Sequence, residues 1–152
     1  MKSRYLVSCL LAGTLALPLA GVACDCVWRP LSVRVEKADV VLLAMVTGHK
    51  SSEFVELQPV EVFKGKITSR FTVKTGDSNC SVFHSSINPK AGERYLLFLE
   101  KSRDYFVTSL CNGSGHGEWK QTQVELPELY KFFGLKAQPD TPADARNDGA
   151  RR

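Results

Sequence analysis

Apolar positions recur along this chain in two rhythms. Residues 38–46, interrupted only by Asp39, form a Val-rich apolar run of strand length that Thr47-Gly48 bounds. Residues 54–58 alternate, and after Pro59 the alternation resumes as Val60-Glu61-Val62-Phe63, so Pro59 marks an edge or a bulge. Lys64-Gly65-Lys66 turns the chain, and residues 70–75 alternate again. Residues 94–100, centred on Tyr95-Leu96-Leu97-Phe98-Leu99, and residues 105–110 read as two further strands joined by a polar turn. Residues 30–37 fit a short helix with Ser32 as its cap. Residues 125–135 place Leu126, Leu129, Tyr130 and Phe133 at helical spacing, with Pro127 in a first turn and Gly134 at the stop. Five strands with polar turns predict a mainly β fold, an antiparallel barrel or sandwich flanked by helices.

The two ends read differently. Residues 1–23 have the form of an export signal: Lys2 and Arg4, then a nearly unbroken apolar stretch, then small residues at Gly21 and Ala23. Cleavage after Ala23 makes Cys24-Asp25-Cys26 the mature start. The competing reading is a lipoprotein box, Gly21-Val22-Ala23-Cys24, with lipid anchoring through Cys24. That box normally carries Leu where Gly21 stands, and lipidating Cys24 leaves an odd number of thiols. No other segment reaches the ~20 apolar residues that a spanning helix needs. Residues 137–152 have Ala as their only apolar side chain beyond Pro, and they read as a disordered tail. One folded domain over 24–136 remains.

Composition then removes function classes. The chain has 152 residues, 43% hydrophobic and 24% charged, which is ordinary for a globular protein. Without Lys2 and Arg4 the net charge drops from +4 to +2, with no basic cluster, so nucleic-acid binding is excluded. Gly76-Asp77-Ser78 has the form of a hydrolase nucleophile block. However, His49, His84 and His116 all lack the Asp three residues upstream that would complete a base and its orienter. Gly113-Ser114-Gly115-His116-Gly117 has no Lys and reads as a turn rather than a phosphate cradle. These histidines have no metal-ligand spacing, so the sequence assigns the chain no cofactor and no metal of its own. Asn112-Gly113-Ser114 has the form of a glycosylation acceptor.

Four cysteines survive removal of the leader, which takes Cys9 with it: Cys24, Cys26, Cys80 and Cys111. A Cys24–Cys26 ring is strained and set aside, which leaves two possible pairings. Both tie the first and third mature residues to distant parts of the body. A four-Cys zinc site is disfavoured, because no Cys-x-x-Cys pair is present and export favours oxidation. A chain end is normally frayed. This one is predicted to be stapled twice, with a free amine and a carbonyl presented together.

Taken in order, several segments carry a resemblance: Cys24-x-Cys26, the helical lead-in, Ala38-Asp39-Val40-Val41, and Val60-x-Val62-Phe63-Lys64-Gly65. Ser78-x-Cys80, Gly92-x-x-Tyr95-Leu96-Leu97-Phe98 and Ser109-Leu110-Cys111 continue it. Over roughly residues 24–119 the chain resembles the netrin-like family, specifically the N-terminal domain of tissue inhibitors of metalloproteinases. The resemblance implies a five-stranded closed antiparallel barrel of oligonucleotide/oligosaccharide-binding type and bridges Cys24–Cys80 and Cys26–Cys111. It also implies a function: the α-amine and carbonyl of Cys24 chelate the zinc of a secreted metalloprotease at its open position. Asp25, Ser78 and Asn79 then form the ridge that contacts the target. Two features of the animal inhibitors, a third bridge in this domain and a Cys-rich C-terminal domain, are missing. Asp25 stands where those proteins carry a small or uncharged residue, and its carboxylate costs several kcal/mol in an apolar pocket unless a cation pairs with it. The expectation is therefore a secreted or periplasmic protease inhibitor and not an enzyme. The alternative is a non-inhibitory binding module, which Trp119, Phe132 or Phe133 exposed in a contiguous patch would favour and their burial would weaken.

Overall fold

A computed structural model describes Cys24 and residues 26–76, 80–83 and 88–136. The expected leader (1–23), the expected tail (137–152) and Asp25, Ser78 and Asn79 lie outside the described residues.

Pro30 starts α1 (Leu31–Lys37): its φ of −52° suits helix entry, and its carbonyl accepts from Arg34 N. Ser32 lies within the helix and makes no cap, contrary to expectation. The far end is capped by a side chain from elsewhere. Lys64 Nζ donates to the carbonyls of Val35, Glu36 and Ala38 at 2.6–3.0 Å, meeting acceptors that a helix end leaves open.

The strands are β1 (Val40–Ser51), β2 (Phe54–Lys64), β3 (Phe71–Lys74), β4 (Arg94–Ser102) and β5 (Tyr105–Val107). They pair in the order β1-β2-β3-β5-β4, and β4 returns to β1, so the barrel closes. All but one of these pairings are antiparallel; β3 and β5 run parallel at Val73 and Phe106. The expected antiparallel barrel is thereby corrected to a mixed one, for a topological reason. Strand directions cannot alternate all the way around a ring of five, so one parallel contact is obligatory.

Continuous and alternating strands now have separate explanations. In β1, Val40, Leu42, Ala44 and Val46 fill the barrel, whereas Val41 and Leu43 point into a second layer with Val35, Phe63, Phe98, Leu129 and Tyr130. β4 does the same, with Tyr95, Leu97 and Leu99 inside and Leu96 and Phe98 outside. Helices cover the outer face of both strands, so both faces are apolar. Pro59 sits in a bulge: Leu43 pairs with Glu61 and Ala44 with Pro59, leaving Val60 unmatched and exposed. β1 runs on through Thr47-Gly48, absorbing them with a register shift. Within the barrel, burial and the nearby Glu93 carboxylate hold the Tyr95 phenol well above its ordinary range, so it remains a neutral donor.

The last expected strand, 105–110, stops at Val107, and Leu110 instead opens a 3-10 turn (Leu110–Asn112), followed by the two-residue β6 (Gly115–His116) paired to β4. α2 (Lys120–Phe132) begins five residues earlier than its apolar pattern predicts, and Pro127 therefore lies inside it. The reason is the buried stripe itself, whose first members are Thr122 and Glu125 rather than apolar residues. Gly134, at φ +65°, ends the helix as expected, with Leu135 N donating to Tyr130 O and Gly134 N to Lys131 O.

Candidate functional site

Two disulfides anchor the start of the described chain. Cys24 is bonded to Cys80 and Cys26 to Cys111, with Cα separations of 5.3 and 5.0 Å. Of the two pairings that the spacing leaves open, this is the one the resemblance implies. The bridges span 56 and 85 residues, and in the chain-entropy picture loops of that size stabilise by roughly 4 kcal/mol each.

The segments that receive Cys24 and Cys26 are themselves joined. Ser109 caps the 3-10 turn: its Oγ accepts from Cys111 N and donates to Cys80 O, both at 3.1 Å. Leu110 N donates to the same Cys80 carbonyl at 2.8 Å. One hydroxyl therefore ties both anchoring half-cystines into a single support. Beneath it lies Ser114, which is buried; its Oγ accepts from Phe98 N at 2.7 Å and from Thr108 Oγ1 at 2.6 Å. Asn112 Nδ2 donates to Phe98 O, and its Oδ1 accepts from Ser114. The acceptor tripeptide seen in the sequence is thus engaged in internal hydrogen bonds.

A third attachment needs no sulfur. Arg34 is only 4% exposed, and its fork pairs with Glu125 through Nη1–Oε2 at 2.8 Å and Nη2–Oε1 at 3.1 Å. Its remaining nitrogen, Nε, donates to Arg29 O at 2.9 Å. The guanidinium lies 4.5 Å from the Trp28 ring and 5.2 Å from the Phe98 ring. One cation thereby connects the arm after Cys26 to α1, α2 and the barrel. Val27 and Trp28 nevertheless stay 79% and 50% exposed, as apolar side chains on a held backbone.

Gly113 makes this approach possible. At φ +92°, a Cβ on it would lie 1.8 Å from Arg34 Nη1. Gly113→Ala is expected to cost at least ~2 kcal/mol, combining left-handed backbone strain with displacement of the guanidinium. Chemical denaturation measures this, and a loss under ~0.5 kcal/mol would contradict it.

Shallow cavities flank the bridges. One of about 250 Å³ is lined by Arg29, Arg34, Lys37, Glu100 and Asn112 beside Cys111. Another of about 220 Å³ is lined by Lys74, Gly76, Ser81 and Ser109 beside Cys80. The face around Cys24 therefore carries basic side chains on both sides.

Cys24, Cys26, Cys80 and Cys111 are thus brought together, whereas the ridge expected of Asp25, Ser78 and Asn79 falls outside the described residues. Sequence reasoning missed Trp28, Arg34, Ser109 and Glu125. For Arg34 and Glu125 the available signal was a charge at a core position of each amphipathic pattern. His49 Nε2 contacts Pro89 O at 3.0 Å, and His116 packs edge-on to Tyr95. Trp119 and Phe132 are both exposed, but they cap opposite ends of α2, about 20 Å apart at helical rise, and form no common patch. Among the described residues no helix is long and apolar enough to cross a membrane. No family model matches the chain, and no curated protein matches it.

Proposed function

We propose that the mature protein is an exported inhibitor of zinc metalloproteases, built on a netrin-like barrel and released by cleavage after Ala23. The free α-amine and the carbonyl of Cys24 take the open position on the target's zinc and displace its water. The amine must be neutral to ligate. Its reference pKa of about 7.7–8.0 lets a competing metal ion deprotonate it near neutral pH.

The observation that carries this reading is the double tether. Residues 24 and 26 are both bonded to a rigid barrel, so the metal-binding atoms are fixed before any target arrives. Fixing a backbone residue costs ~1–2 kcal/mol, and here that cost is met in folding rather than in binding. Val27 and Trp28 extend the ridge with exposed apolar surface. Asp25 follows the chelating residue in sequence, and its carboxylate selects targets with a basic group beside the zinc. Two disulfides fit an oxidising compartment, secreted or periplasmic. The binding-module alternative draws no support from Trp119 and Phe132, which lie apart.

A panel of secreted zinc proteases tests the proposal, with intact mass first establishing a chain that starts at unmodified Cys24. Inhibition of at least one member at stoichiometric levels is expected. Failure against the whole panel, or an acylated Cys24, would overturn the reading.

A further inference from the structure

The cavity beside Cys111 holds more positive charge than its own carboxylates match. Arg29, Arg34 and Lys37 line it, opposed by Glu100, in about 250 Å³. Arg34 is balanced by Glu125, so Arg29 and Lys37 stand against Glu100 alone, and the described lining keeps a net positive charge. Arg34 and Lys37 are three residues apart on α1 and share a face, while Arg29 enters from the arm just ahead of that helix. The C-terminal end of α1 would ordinarily add partial negative charge here. Lys64 Nζ removes it by donating to the carbonyls of Val35, Glu36 and Ala38.

We propose that this cavity seats a carboxylate side chain from an acidic segment of a partner protein, with the segment's apolar residues lying on Val27 and Trp28. The site does not rest on the inhibitory reading, because it uses side chains of the arm and of α1 and no zinc.

Charge and shape both select that occupant. A single surplus cation matches a monoanionic carboxylate and leaves a dianionic phosphate half unpaired. The Arg29 fork suits a carboxylate in particular, since it can donate to both oxygens at once. Its backbone is already held, because Arg34 Nε donates to Arg29 O at 2.9 Å. Among the described residues, the second N–H of each Arg34 Nη makes no hydrogen bond. Apolar surface adjoins the charge: the Trp28 ring lies 4.5 Å from the Arg34 guanidinium, and Val27 and Trp28 are both exposed. A free small acid would leave those two side chains uncovered, whereas a peptide with apolar residues beside its carboxylate covers them.

The test uses the mature, disulfide-bonded chain. Trp119→Phe leaves Trp28 as its only tryptophan, whose fluorescence then reports on the site, and calorimetry on the unsubstituted chain checks the same binding. The probes are the blocked pentapeptide Ser-Leu-Glu-Leu-Ser, its Gln counterpart, acetate and inorganic phosphate. One-to-one binding of the Glu peptide is expected, with the Gln peptide, acetate and phosphate each at least ~10-fold weaker. Arg29→Ala and Lys37→Ala should each weaken the Glu peptide by about 10-fold at an unchanged melting temperature. Glu100→Gln removes the opposing carboxylate and should strengthen binding by about 2- to 5-fold, which a merely structural role would not do. Lys131→Ala, on the exposed side of α2, should change nothing. Absence of saturable binding up to about 10 mM peptide would overturn the proposal. So would equal affinity for the Gln peptide, acetate or phosphate, or undiminished binding in both the Arg29 and the Lys37 variants.

Discussion

Arg34→Met is expected to lower the unfolding free energy by roughly 3–5 kcal/mol, the usual cost of stranding one member of a buried ion pair. The Arg34 and Glu125 side chains are 4% and 3% exposed, so solvent cannot replace the lost partner. Methionine keeps much of the stem's packing, which makes the loss chiefly electrostatic. The double variant Arg34→Met/Glu125→Leu should recover most of the stability, because an apolar pair of similar volume has no buried charge to satisfy. Urea or guanidinium unfolding with an unchanged m-value is the appropriate measurement. Single variants that each cost under ~1 kcal/mol, or a double variant no better than either, would contradict this account of the interface.

The second large effect comes from sulfur. Cys26→Ser/Cys111→Ser removes the longer of the two loops and is expected to cost ~2–5 kcal/mol. On the proposed function its effect on inhibition is larger than stability alone suggests. Freeing Cys26 and its neighbours leaves two or three backbone residues to be ordered at the target, at ~1–2 kcal/mol each, so inhibition should weaken by about 100-fold or more. Comparing the inhibition constant with the unfolding free energy separates the two effects. A variant that stays folded at assay temperature and inhibits undiminished would show that the second tether does not preorganise the ridge.

The barrel was readable because its strands carry their environment in their pattern. Residues 40–46 and 95–99 are apolar throughout since each contributes to two cores, and residues 54–58 alternate since one face meets solvent. Ring closure was not readable from any strand alone; the parallel β3–β5 contact follows from the odd number of strands and not from local sequence. The first half of α2 escaped because Thr122 and Glu125 occupy its buried stripe, and a hydrophobic count treats both as exposed. Glu125 becomes intelligible only with Arg34, which is 91 residues away. The cysteines gave the position of the candidate site and narrowed the pairing to two options, and family resemblance chose between them. What holds the arm apart from sulfur, namely Arg34 with Trp28 and Ser109 with both half-cystines, depends on contacts that spacing cannot encode.

On the proposed function, an unblocked Cys24 amine is the group that grips a target's zinc. The inhibition constant of the mature protein against a susceptible zinc protease, taken before and after selective acetylation of that amine, tests this. Acetylation leaves the barrel and both bridges in place but removes the nitrogen's ability to ligate. Inhibition is expected to be abolished while the melting temperature is unchanged; equal inhibition by both forms would contradict the proposed role of the amine.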